Sequence, residues 1–294
     1  MISGWIILDK PVGIGSTPCV SAVKRALREA GAAKTKVGHG GTLDPLASGV
    51  LPIALGEATK LAGHMLDASK SYDFTIKFGE QTDTLDLEGA VIAISDVRPN
   101  MAEVDAVLDR FRGPIEQVPP VYSALKVDGK RAYDLARAGG EVRLNTRSVT
   151  VHALILQSSD ERSATFSAIV SKGTYIRSLA RDIALALGTV GHVTMLRRTQ
   201  AGPFDLSQSI SLDKFADLAK ARLLDGAVLP LIAGLDDIPA LPVTPEEAKL
   251  LRFGQKLDRT LATPGLVLAT DAGRPVALVE AGNDGLRVIR GFNI

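Results

Sequence analysis

The run Lys36-Val37-Gly38-His39-Gly40-Gly41-Thr42-Leu43-Asp44-Pro45-Leu46-Ala47-Ser48-Gly49-Val50-Leu51-Pro52 constrains this chain more tightly than any other stretch. Gly38, Gly40 and Gly41 open backbone conformations closed to other residues and let a ligand approach the main chain, while Pro45 biases Asp44 away from the helical region. The segment therefore reads as a stiff loop with a carboxylate at its tip. A surface turn uses the same residue types, so the loop by itself leaves turn and active site both open.

The rest of the chain supplies the context. Its 294 residues, 46% of them hydrophobic, suffice for one large domain and a small one. A net charge of +1 excludes a uniformly basic surface, so any nucleic-acid binding must come from local clusters of Lys and Arg. Cys19 is the only cysteine, which excludes an internal disulfide framework and fits a reducing compartment. His39, His64, His152 and His192 are scattered without metal-ligand spacing. The N-terminal apolar run is interrupted by Asp9 and has no basic leader, so neither a signal peptide nor a membrane span is expected, and a cytoplasmic location is.

Residues 5–8 read as a short apolar strand closed by Lys10-Pro11-Val12-Gly13, and the spacing of Val20, Val23, Ala26, Leu27 and Ala30 predicts a helix capped by Thr17 and stopped by Gly31. Strands are expected over 50–55, 72–78, 149–156, 164–170 and 192–199, and helices over 58–66, 102–111 and 212–224. A further helix, capped by Gly173-Thr174, is expected to end at Gly188. Residues 113–140 read as an irregular excursion, and 235–242 as a linker to a Gly-rich β appendage. This order lacks the βαβ rhythm of a doubly wound sheet. An α+β class follows, with a mixed, mainly antiparallel central sheet flanked by helices.

Asp44 could serve as nucleophile, general base, metal ligand or structural cap. A nucleophilic carboxylate must stay ionised, which a nearby guanidinium favours. Arg177 is a candidate partner, because in a first helical turn a cation opposes the macrodipole and something must offset that. Tyr72 and Tyr175 stand at element boundaries with an apolar ring and a polar tip, suited either to core packing or to stacking on a base. His39 is a turn residue or a ligand contact, and Leu196 is most simply core. Lys126, Lys130, Arg131, Arg137, Arg143 and Arg147 form a locally basic stretch, with Lys172, Arg181, Arg197 and Arg198 adding charge near the proposed site. These read either as a solvated face or as phosphate-neutralising groups. The glycine loop lacks the ending of a nucleotide P-loop, which sets nucleotide-cofactor enzymes aside.

Lys10-Pro11-x-Gly13, His39 to Gly49, Tyr72, Thr82-Asp83-Thr84-x-Asp86-x-x-Gly89, Tyr122 to Lys126, Lys172 to Arg177 and Leu196-Arg197-Arg198, taken in series, resemble the bacterial TruB family of tRNA pseudouridine-55 synthases. The resemblance implies a pseudouridine synthase fold over residues 1–236, with an RNA-gripping thumb at about 126–147, and a small β-rich PUA-like RNA-binding domain over 240–294. It implies isomerisation of uridine 55 in the T loop of tRNA with neither metal nor organic cofactor. Asp44 would be the nucleophile, paired with Arg177. Tyr72 would stack on the flipped base and assist proton movement, and Tyr175 and Leu196 would line its pocket. His39 would fill the vacated stack, Lys10 and Pro11 would buttress the loop, and Lys130 and Arg131 would grip the RNA. It also implies a monomer that works without a guide RNA and away from membranes. A non-catalytic factor that grips the T loop is the alternative, and a carbohydrate hydrolase would need a second carboxylate opposite Asp44.

Overall fold

The apolar run at the N-terminus forms the edge of a large sheet. In a computed structural model that describes residues 2–123, 125–127, 129–137 and 144–294, β1 (Gly4–Lys10) is buried along almost its whole length. Of residues 126, 127, 130, 131, 134, 136 and 137 only the backbone is described. Helix α1 (Ser16–Glu29) follows, with Cys19, Val20, Val23, Ala26 and Leu27 on its buried face. Its cap is Gly15 rather than the expected Thr17. The physical reason is Ser16, whose hydroxyl is turned into the neighbouring loop, where it donates to the Leu43 carbonyl at 3.0 Å and accepts from the Leu43 amide at 2.8 Å. Beyond α1 come β2 (Val37–His39) and β3 (Ser48–Leu55), antiparallel to each other, with the Asp44 loop as their connection.

The expected helix over 58–66 is a 3-10 turn, Gly56–Leu61, that runs into α2 (Ala62–Asp67). Strand β4 (Lys70–Phe78) and the small hairpin of β5 (Glu80–Thr82) and β6 (Val91–Ile94) lead to α3 (Met101–Val107), which begins in a capping box of Asn100 and Glu103. The excursion starts with a strand, β7 (Gly113–Gln117), and contains the short pair β8 (Lys126–Val127) and β9 (Lys130–Arg131) followed by α4 (Ala132–Arg137). Arg143 lies outside the described residues, as do the side chains of Lys126, Lys130, Arg131 and Arg137. The long hairpin of β10 (Arg147–Ser159) and β11 (Ser163–Val170), then α5 (Ile176–Ala186), β12 (Gly191–Ala201) and β13 (Phe204–Asp205), complete the sheet. Its order is β1-β3-β12-β4-β11-β10-β7, with β2 attached to β3 and β13 to β12.

All these pairings are antiparallel except one. Strands β3 and β12 meet in parallel through two residue pairs, Arg197 with Ser48 and Arg198 with Gly49. Gly49 makes that meeting possible, because its φ is +101° and a Cβ there would lie 2.1 Å from the Arg198 carbonyl oxygen. One core, built on Phe74, Phe166 and α5, covers one side of the sheet, and a second joins α1 to α6 (Leu212–Lys220). Helix α6 stops four residues short of the expected Leu224, where the chain turns into a 3-10 segment.

The expected linker contains a strand, β14 (Ala240–Pro242), which pairs in parallel with β15 (Gly265–Asp271). With α7 (Pro245–Arg252), β16 (Arg274–Gly282) and β17 (Gly285–Gly291) it builds a β-rich C-terminal unit with its own core. Phe292 leaves that unit to join Trp5 and Phe204 in the first domain. Among the described residues no helix is long and apolar enough to cross a membrane.

Candidate active site

Asp44 and Arg177 are 133 residues apart in sequence, and the fold brings them into an ion pair at 2.8 Å. Arg177 is in the first turn of α5, as its position suggested, and its side chain is almost wholly buried while that of Asp44 stays about one-third exposed, at 38%. The macrodipole cost to the cation is offset on three sides. One guanidinium nitrogen donates to the Thr84 carbonyl at 2.8 Å, the other to the Tyr122 carbonyl at 3.0 Å, and Asp86 sits at 3.6 Å. Asp86 is thus a second carboxylate near Asp44, formed only in space. It faces the same arginine and is fixed in place by the Thr84 hydroxyl at 2.6 Å and the Glu88 amide at 3.0 Å.

A cavity of about 280 Å³ opens beside the pair, lined by Asp44, Lys70, Tyr72, Tyr175, Leu196 and Arg198 among others. That volume is at the small end of ligand clefts, which run from roughly 300 to 1,000 Å³. Tyr72 comes from β4 and Leu196 from β12, and both also touch the cores on either side. Tyr175 caps α5. Its amide and carbonyl are gripped by one buried side chain, with Gln117 Oε1 accepting at 2.8 Å and Nε2 donating at 3.1 Å. Arg147 lies 5.6 Å from the centre of its ring. Burial pushes the Tyr175 phenol up, and the Arg147 charge partly opposes this.

Of the remaining site residues, Lys10 does not reach the cavity. It is fully buried, and its ammonium donates to the carbonyls of Ile14 at 2.6 Å, Pro11 at 2.9 Å and Pro45 at 3.2 Å, fastening the loop one residue beyond Asp44. Burial pulls its pKa down, with the Cys19 and Asp44 charges opposing. His39 is half-buried beside the cavity and does not line it. Its Nδ1 accepts from the Gly41 amide at 3.4 Å, and burial together with the Arg198 charge pulls the imidazole pKa down, so the ring is neutral at pH 7.

Two of the basic residues that read either as a solvated face or as phosphate-neutralising groups are engaged within the fold. Arg198 is 1% exposed and spends its donors on the carbonyls of Val50 at 2.7 Å, Gly41 at 3.2 Å and Thr42 at 3.3 Å. Arg197 holds Asp9 through two contacts, at 2.8 and 3.0 Å, tying β12 to β1 across β3. Lys172 is exposed and paired with Asp67 at 2.9 Å. Lys70, Gln117 and Asp86 are the site residues that sequence reasoning did not single out. Only Asp86 had a signal, its place in the Thr82 to Gly89 motif. Among the described residues no cluster of His, Cys, Asp and Glu is placed to hold a metal ion.

A carboxylate and guanidinium at the mouth of a cavity walled by two tyrosines and a leucine, on this mixed sheet, define a class of protein. Solved structures share the architecture over nearly the whole chain. A structure of an H/ACA RNP bound to a substrate RNA containing 2′-deoxyuridine matches with a TM-score of 0.77 and 26% identity, covering 99% of this chain and 85% of that one. A Cbf5-Nop10-Gar1 complex matches with a TM-score of 0.75 and 27% identity, covering 98% and 84%. The fold is that of the pseudouridine synthases.

The family follows from sequence. Residues 24–176 match the N-terminal domain model of the TruB family pseudouridylate synthases, and 177–236 match the tRNA pseudouridylate synthase B C-terminal domain. A tRNA pseudouridine synthase B of Novosphingobium aromaticivorans is 60% identical over 299 residues, 100% of this chain and 98% of the relative. One of Zymomonas mobilis is 59% identical over 292 residues, 99% and 96%. The chain belongs to the TruB family of pseudouridylate synthases.

Proposed function

We propose that this chain converts uridine 55 in the T loop of tRNA to pseudouridine, with Asp44 as the nucleophile. The observation that carries the reading is the 2.8 Å pair of a part-exposed Asp44 with a buried Arg177 at the edge of the cavity lined by Tyr72, Tyr175 and Leu196. The family membership and the printed names of the relatives support the reaction and the substrate.

The base in a folded T loop is paired and stacked, so extruding it costs a few kcal/mol. Tyr72 stacks on the extruded uracil and assists proton movement, with Tyr175 and Leu196 closing the pocket around it. His39, neutral and beside the cavity, fills the place the base leaves. Arg177 keeps the Asp44 carboxylate aimed and charge-balanced. Attack falls on the ribose or on the pyrimidine ring. The segment 126–147, with Lys130 and Arg131, closes over the RNA as a thumb, and residues 240–294 act as a PUA-like RNA-binding domain. The enzyme acts as a monomer in the cytoplasm, without metal, organic cofactor or guide RNA.

The test is to incubate a tRNA transcript and a T-loop hairpin with the wild type and with Asp44→Asn, then map pseudouridine. Product at position 55 from the wild type alone is the expected result. Equal product from both proteins removes Asp44 from the mechanism, and binding without product from the wild type leaves a T-loop-gripping factor instead.

A further inference from the structure

Three cations surround the Asp44 loop, each buried and each bonded to backbone carbonyls only: Lys10, Lys70 and Arg198. None has a carboxylate within ion-pair distance among the described residues, whereas Arg177 already faces two. Buried cations with no carboxylate in direct contact are costly, and such groups cluster at functional sites. Lys10 is sealed off from the cavity, but Lys70 and Arg198 line it. Lys70 stands two residues before Tyr72 on the same face of β4, and Arg198 is the register partner of Tyr72 on β12.

We propose that Lys70 and Arg198 are positioning residues that set a positive potential in the cavity and so hold the detached pyrimidine as its anion. The proposal rests on the reading of this chain as a pseudouridine synthase and applies to attack on the ribose. When Asp44 attacks the ribose, a bond from its carboxylate oxygen to C1′ forms as N1–C1′ breaks. The electron pair stays on the pyrimidine, which becomes a monoanion shared among N1, O2 and O4. After rotation, C5 bonds to C1′ and expels the carboxylate, and the proton displaced from C5 is transferred to N1. The step moves the negative charge from the Asp44 carboxylate, which Arg177 faces, onto the base in the cavity, so a preorganised positive field centred on the cavity favours that transfer. Both cations act through space, since every side-chain nitrogen of each already donates to a backbone carbonyl. Lys70 donates to the carbonyls of Ala68 at 2.6 Å, Leu66 at 2.7 Å and Met65 at 3.0 Å.

Lys70 is the titratable member of the pair. Burial first, then the Arg198 and Lys172 charges, against the opposing Asp67, bring its pKa down to about 8. The experiment is single-turnover pseudouridine formation in tRNA from pH 6 to 10 with the wild type, Lys70→Met and Lys70→Arg. The wild-type rate should fall above about pH 8 as the ammonium is lost. Lys70→Met should be slower at pH 7 by roughly tenfold or more, with tRNA affinity unchanged and that fall absent. Lys70→Arg should restore the rate and carry it to higher pH, because a guanidinium stays charged; titration of the RNA itself is common to all three. A purely structural role, capping α2, predicts no change of pH profile. A Lys70→Met rate within about twofold of the wild type, or the same alkaline fall in Lys70→Arg, overturns the proposal. If Lys70→Met fails to fold, the Lys70→Arg profile decides. Asp44→Asn as a parallel inactive control separates this outcome from failure of the functional reading.

Discussion

The two parts of the molecule treat charge in opposite ways. The catalytic sheet buries Lys10, Lys70, Asp86, Arg177 and Arg198, whereas among the described residues of the C-terminal unit no charged side chain is buried. There the charges meet at the surface, as in Arg252 with Asp271 and Lys256 with Asp284. Both parts have continuous apolar cores, so folding alone does not require the buried charges. They are a burden that the first domain carries where it must hold a loop, a carboxylate and a cavity in one geometry.

The largest effect expected is on chemistry. Asp44→Asn should lower product formation by roughly a thousandfold or more while leaving the unfolding midpoint in place, because the carboxylate is part-exposed and the change is isosteric. A comparable loss from any substitution in the C-terminal unit would break the contrast. Next is Arg177→Met, which removes the cation and leaves Asp86 buried and uncompensated. It should cost roughly 3–5 kcal/mol in urea unfolding as well as activity. Phe292→Ala, at the junction of the two parts, should cost about as much, roughly 3–5 kcal/mol, through lost packing alone, and the enzyme that remains folded should keep its rate.

A smaller effect has a sign that sharpens the comparison. Lys70 has a pKa of about 8 in the fold, against an ordinary value near 10.5. Between those two pH values the unfolded chain binds the extra proton, so this group makes the protein more stable as pH rises, by up to about 3 kcal/mol. Below pH 8 both states are protonated and the contribution is flat. The wild type should therefore gain urea stability relative to Lys70→Met from pH 8 to 10, over the range in which its rate falls. A gap that stays constant would contradict the burial of this charge. Least of all, Lys256→Ala should leave the unfolding midpoint unchanged, since exposed pairs contribute little.

How far the sequence reached depended on what each element owes to its own residues. Strands β1, β4, β10, β11 and β12 and helices α1 and α5 were legible because their apolar spacing is local. Strand β7, Gly113-Pro114-Ile115-Glu116-Gln117, reads from sequence as the start of the irregular excursion. It is a strand because β10 offers it hydrogen bonds, and Pro114 is tolerated because β7 is the edge. Strand β14 was hidden in the linker for the same reason, since it exists by pairing with β15. In the site, Asp44, Tyr72, Tyr175, Arg177 and Leu196 could be picked out as residue types at element boundaries or as members of a resembling motif. Gln117, Lys70 and the task of Arg198 could not. An amide that grips one residue of another element, or a cation that ends on three carbonyls, leaves no mark in spacing.

The sequence by itself determined the path open to the Asp44 loop, because glycine admits backbone conformations closed to other residues and proline restricts the residue before it wherever they occur, and it determined which elements could bury an apolar face. Tertiary structure alone decided that Arg177 faces Asp44 and Asp86 together and that Lys70 and Arg198 stand in the same cavity with no carboxylate in ion-pair contact among the described residues. Those relations depend on the β3–β12 junction and the strand order around it. Coulomb interactions follow distance in space, and distance along the chain does not encode them.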